Sequence, residues 1–148
     1  MDRRQVLSMA AAAAAIVPLA SASAGEAAGH EHHHHDLASS TKSLFAAAQE
    51  CAGSAQLCQA HCQELYASGD RSLADCSRSV DALVPVCQTL AALAAQNSRF
   101  LPHYAKLAAE ICRACEKDCR KHEKEHSQCH DCAEACARCA KNCDATAA

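Results

Sequence analysis

The sequence predicts an all-α protein, an antiparallel up-down-up-down four-helix bundle with a Cys-lined core. Three observations carry this. The stretch Cys129-His-Asp-Cys132-Ala-Glu-Ala-Cys136-Ala-Arg-Cys139-Ala-Lys-Asn-Cys143 steps its five cysteines by three, four, three and four residues. On an α-helix that spacing puts all five thiols on one face. Three further segments repeat the same spacing with Cys, Ala and aliphatic residues. Finally, the 148 residues hold only four Gly and three Pro, and helix formers dominate,.

The first helix is expected from Ser40 or Thr41, either of which suits an N-cap, to just before Gly69, which suits a C-terminal cap,. Leu44, Ala48, Cys51, Ala55, Cys58, Cys62 and Leu65 form its inward stripe. Asp70 and Arg71 fill a turn. Ser72-Leu-Ala-Asp75 reads as a capping-box variant opening the second helix, with Asp in place of Glu,. Its stripe is Cys76, Val80, Leu83, Cys87, Leu90 and Ala94, and Pro85 inside it predicts a local kink,. Asn97 and Ser98 make the next turn. The third helix is expected from about Arg99 to Glu125, with Leu101, Tyr104, Ala108, Cys112, Cys115, Cys119, His122 and His126 inward and Pro102 tolerated in its first turn,. Ser127 should cap the fourth helix, which runs to about Ala145.

The N-terminus predicts a separate organisation, with residues 1–24 a signal peptide, 25–39 a His-rich disordered leader and 40–148 the bundle. Arg3 and Arg4 precede a weakly hydrophobic Ala-rich stretch, and Ala22-Ser23-Ala24 offers a small-residue cleavage site,. The arginine pair resembles a twin-arginine signal, an ordinary secretory signal being the alternative. The stretch is too short for a stable membrane anchor. Cleavage would leave 12 basic against 16 acidic residues, a formal charge of −4. An exported, periplasmic protein with no membrane span is expected, and the acidic balance gives no reason to expect nucleic acid. His30-Glu-His32-His33-His34-His35-Asp36 reads either as a metal-capturing tract or as a spacer or tag,.

Short turns make consecutive helices antiparallel neighbours. The turns after the first and third helices then share one end of the bundle. Cys62, Cys76, Cys119 and Cys129 are expected there, with Cys58, Cys115, Cys132 and Cys136 further in, and Cys51, Cys87, Cys112, Cys139 and Cys143 deeper still. His61, His122, His126 and His130 mark that end as a polar mouth. Leu44, Leu90, Leu101 and Tyr104 plug the other.

Thirteen cysteines in such a lumen demand an explanation. Cys and Ala are small, and residual cavity costs about 24 cal/mol per Å³. Converging thiolates also repel unless they are protonated or neutralised by cations. A row of soft cations answers both problems, and soft thiolates favour Cu(I), Zn and iron–sulfur clusters. Structural zinc usually gathers four ligands on knuckles or loops, whereas these ligands line continuous helices. Cu(I) bridged by shared thiolates gives about one ion per Cys, or roughly thirteen. Two alternatives remain. Cys112-x-x-Cys115-x-x-x-Cys119 has a spacing that could serve an exported iron–sulfur electron carrier. A disulfide-stapled bundle suits export, although the odd count and same-helix spacing fit it poorly. No activated Ser, acid–base pair or phosphate loop is present, so an enzyme is not expected.

Leu57-Cys58-Gln59-Ala60-His61-Cys62, Cys112-Arg-Ala-Cys115-Glu-Lys-Asp-Cys119 and the five-Cys helix resemble the four-helix-bundle copper storage proteins, and in particular their exported, twin-arginine branch. The resemblance covers essentially the whole mature chain. It implies storage of multiple Cu(I) ions by Cys51, Cys58, Cys62, Cys76, Cys87, Cys112, Cys115, Cys119, Cys129, Cys132, Cys136, Cys139 and Cys143. It also implies a homotetramer and His61 as a mouth ligand, and a copper acceptor protein is a further expected partner. Exported members are expected to carry several Met residues near the mouth. The chain beyond residue 24 has none, and Leu65, Ser68 and Leu73 occupy that region.

Overall fold

A computed structural model describes residues 38–147. The expected signal peptide and His-rich leader lie outside the described residues, apart from Ala38 and Ser39. Four helices follow in order: α1 (Ser39–Ala67), α2 (Ala74–Ala95), α3 (Leu101–Arg120) and α4 (Ser127–Ala147). No strand occurs among the described residues, and none of these helices is long and apolar enough to cross a membrane.

The helices form a square in which each packs on its two chain or ring neighbours. Cross-helix pairs show the directions. Glu50 of α1 meets Arg138 of α4 at 2.7 Å, while Cys58 further along α1 meets Cys129 at the start of α4. Arg113 pairs with Asp144, and Arg120 with Glu134 at 2.8 Å, so α3 and α4 also run oppositely. Early Cys76 on α2 meets late Cys119 on α3. The result is the expected antiparallel bundle.

Two of the three turns close in the same way. Gly69 has φ +88°, and the Asp70 N–H reaches back to the Leu65 carbonyl at 3.0 Å. Asn97 has φ 47°, and the Ser98 N–H reaches the Leu93 carbonyl at 3.0 Å. Both are Schellman closures, with Gly or Asn taking the left-handed position. The third turn has no such residue. There the His122 carbonyl accepts from the N–H groups of Glu125 (3.1 Å) and His126 (3.0 Å).

Several helix ends differ from expectation. α1 begins at Ser39, and neither α1 nor α2 has a side-chain N-cap. The Ser72 capping box does not form. Asp70 accepts the Ser72 N–H at 2.8 Å in an Asx turn, α2 starts at Ala74, and Asp75 pairs with Arg78,. Pro85 lies inside α2, and Thr89 Oγ1 donates to its carbonyl. α3 starts two residues later than expected and stops at Arg120, so His122 and His126 belong to a turn rather than an inward helical face. The Ser127 hydroxyl bonds Gln128 and does not cap α4.

The inward stripes are otherwise those expected. All thirteen cysteines are fully buried, as are Leu44, Ala48, Ala55, Val80, Leu83, Leu90, Ala94 and Ala108. Leu65 and Tyr104 are half-buried. Leu73, just before α2 at the His-bearing end, is fully buried as well.

Candidate metal centre

Each helix delivers its sulfurs at a different density. α4 presents five and α3 three, α1 presents three, and α2 only Cys76 and Cys87 with Val80 and Leu83 between them. The consequence is a layered lumen. The deepest group takes one thiol from every helix: Cys51, Cys87, Cys112 and Cys139. The middle group, Cys115, Cys132 and Cys136, has no α2 member. Towards the His-bearing end come Cys58 with Cys119 and Cys132, and Cys58 with Cys76 and Cys129. Within each group the sulfurs lie within 4.8 Å of one another.

The groups are not separate. Cys58 and Cys132 each belong to two of them. Cys51 Sγ lies 3.8 Å from Cys136 Sγ, joining the deep quartet to the middle trio. Cys76 lies 3.3 Å from Cys119, 3.7 Å from Cys58 and 3.8 Å from Cys129, and Cys115 lies 3.9 Å from Cys119. Eleven of the thirteen thiols thus form one line along the bundle axis. Cys62 and Cys143 join none of the groups. Cys58 was expected a layer below Cys76 and Cys129 but packs directly on both, because neighbouring antiparallel helices interleave their turns.

Electrostatics follow from crowding. Burial first, then the nearby Cys76 charge, pushes the Cys62 thiol from 9.0 up to about 11. Cys119 is pushed up by its thiol neighbours, Cys115 first, and Cys136 likewise. In each layer one sulfur goes the other way. Cys76 is held low by hydrogen bonds led by Cys119, Cys132 by those led by Cys115, and Cys139 by those led by Cys112. A thiolate surrounded by S–H donors is stabilised, and its neighbours keep their protons. A soft cation entering such a layer must displace protons from the thiols that bind it.

All thirteen cysteines are free thiols in this structure. The iron–sulfur spacing does not gather. Cys112 belongs to the deep quartet, while Cys115 and Cys119 serve two other groups. At the His-bearing end, His61 Nε2 lies 2.9 Å from His126 Nδ1. His130 is exposed and 3.8 Å from Glu123, and His122 is half-buried. The His61–His126 contact is not legible in sequence, because the spacing predicts His126 on a third helix that in fact ends at Arg120.

A helical bundle whose lumen is a line of shared thiols is a scaffold for clustered soft metal ions. The chain belongs to the copper storage protein family, whose model matches residues 37–148. Among solved structures it is similar to apo copper storage protein 3 from Bacillus subtilis, at 28% identity and a TM-score of 0.65, covering 73% of this chain and 99% of that one. It is similarly related to the Cu(I)-bound copper storage protein BsCsp3, at 28% identity and a TM-score of 0.64, covering 74% and 99%. No curated protein matches the sequence.

Proposed function

We propose that the chain stores copper, taking many Cu(I) ions into the bundle and holding them between its thirteen cysteine thiolates. The observation that carries this is the sharing of Cys58 and Cys132 between groups. Isolated metal sites have no need of shared ligands, whereas thiolates bridging a row of low-coordinate soft ions do. Bridging sets the capacity at about one Cu(I) per Cys. Membership of the copper storage family and the Cu(I)-bound relative support the same reading. The role is non-enzymatic storage. His61, at the end where Cys62, Cys76 and Cys129 lie, is the residue that admits copper. The deep Cys51–Cys87–Cys112–Cys139 quartet favours one narrower reading, a single structural Zn(II), because four thiolates match its ligand count,.

The arginine pair and small-residue cleavage site support export by the twin-arginine route to a periplasmic location. The family resemblance supports a homotetramer, and a copper acceptor protein is a further expected partner. An anaerobic Cu(I) titration of the reduced chain against a competing chelator tests storage. About thirteen ions per chain are expected by the one-per-thiolate rule. Saturation at one or two would end the storage reading.

A further inference from the structure

The cysteines account for the lumen, but nothing so far accounts for His126. Its ring nitrogen Nδ1 sits 2.9 Å from His61 Nε2, with the ring centroids 5.0 Å apart and the planes tilted by 52°. One nitrogen donates and the other accepts, so both are occupied by each other. His126 is also oddly placed for a helix. Its carbonyl accepts from the N–H groups of Cys129 (3.1 Å) and His130 (3.2 Å), so it stands immediately before the first turn of α4. Ser, Thr, Asp or Asn ordinarily stands there and caps the exposed N–H groups. His126 turns its ring to α1 instead. Helix stability therefore does not explain the residue, whereas the contact to His61 does. The pair is not a ready multidentate metal site. Every group of three or more candidate ligands found among the described residues consists of cysteines alone.

We infer that His126 is a positioning residue that latches the mouth, holding His61 Nε2 in a hydrogen bond so that copper reaches that nitrogen only when the α3–α4 turn lets go. This rests on His61 being the residue that admits copper. His61 leads directly to Cys62 on α1, and His126 lies one turn before Cys129 on α4. The latch therefore ties the two helix ends that carry these outer thiols. Admission is gated by breaking one contact between side chains, with no change in the number of thiols behind it.

Stopped-flow mixing of the reduced chain with Cu(I) held by a weak chelator, under anaerobic conditions, tests this with two replacements that both suit a helix N-cap. His126→Ser cannot reach His61, and its initial uptake should be faster by about three- to tenfold, the worth of one ordinary hydrogen bond. His126→Asn offers its amide nitrogen where Nδ1 stands and leaves its oxygen for the helix N–H groups, so it should keep the contact and load at the parent rate. The double variant His61→Ala/His126→Ser should load as slowly as His61→Ala alone, because the latch acts only through His61. The inference is overturned if His126→Ser loads at or below the parent rate, if the Asn and Ser variants behave alike, or if the double variant is as fast as His126→Ser. Equilibrium capacity on the same samples separates the two readings. A parent that takes up one or two ions sinks storage, while full capacity with unmoved rates sinks only the latch.

Discussion

Cys58 and Cys143 are chemically identical and equally buried, yet they stand differently in the lumen. Cys58 belongs to two thiol groups, and Cys143 to none. If thiolates bridge, removing a shared one disturbs the ions on both sides, whereas removing an end thiol disturbs at most one. Cys58→Ser is therefore expected to lower Cu(I) capacity by about two or more ions, and Cys143→Ser by about one or fewer, on the bridging rule. Equal losses in chelator-competition titrations would show that the sulfurs act one by one. The inward direction of these residues was legible because spacing of three and four fixes a helix face. Which sulfurs share a neighbour was not, since that depends on how the turns of adjacent helices interleave. The position of Cys58 beside Cys76 and Cys129 is the clearest instance.

Among the elements, α2 is the least metallic. Val80 and Leu83 separate its two cysteines and are fully buried, so they supply packing where α3 and α4 supply sulfur. Leu83→Ala should therefore act on the apo fold, lowering its stability by about 2–5 kcal/mol as for other buried Leu truncations, with copper capacity nearly unchanged. Circular dichroism melts of the reduced apo protein read the first effect, and titration the second. The parent should be helical without metal, because its heptad stripes are already closed by aliphatic and alanine packing. Helix existence and inward faces were legible in each segment, but boundaries were not. Asp70 took the Ser72 N–H that the expected capping box needed. The run from Arg120 to His126 contains no apolar residue, so nothing holds α3 helical once its last buried thiol, Cys119, is passed.

For the whole molecule, the apo lumen carries a pH liability that copper would relieve. Cys62 is held protonated up to about 11 in the fold, against 9.0 ordinarily. A group whose pKa is raised by folding stabilises the fold below its unfolded value and loses that contribution as pH rises to the folded value. Apo stability should therefore fall between pH 9.0 and about 11. Urea midpoints across that window measure the fall, and Cys62→Ser should flatten part of it. A midpoint that rises with pH there would contradict the assignment. Holding copper works in the other direction. Ligands must lose their protons to bind, so loading releases protons and stabilises the fold by mass action.

The central claim is spatial: copper lies in a line through the bundle, between sulfurs that are already neighbours. Anomalous diffraction at the copper edge from Cu(I)-loaded crystals tests it directly. The account predicts a file of copper peaks along the axis, running from the Cys58–Cys76–Cys129 group past Cys115–Cys132–Cys136 to the Cys51–Cys87–Cys112–Cys139 quartet. A single peak in the quartet with the other thiols bare, or copper confined to surface histidines, would contradict it.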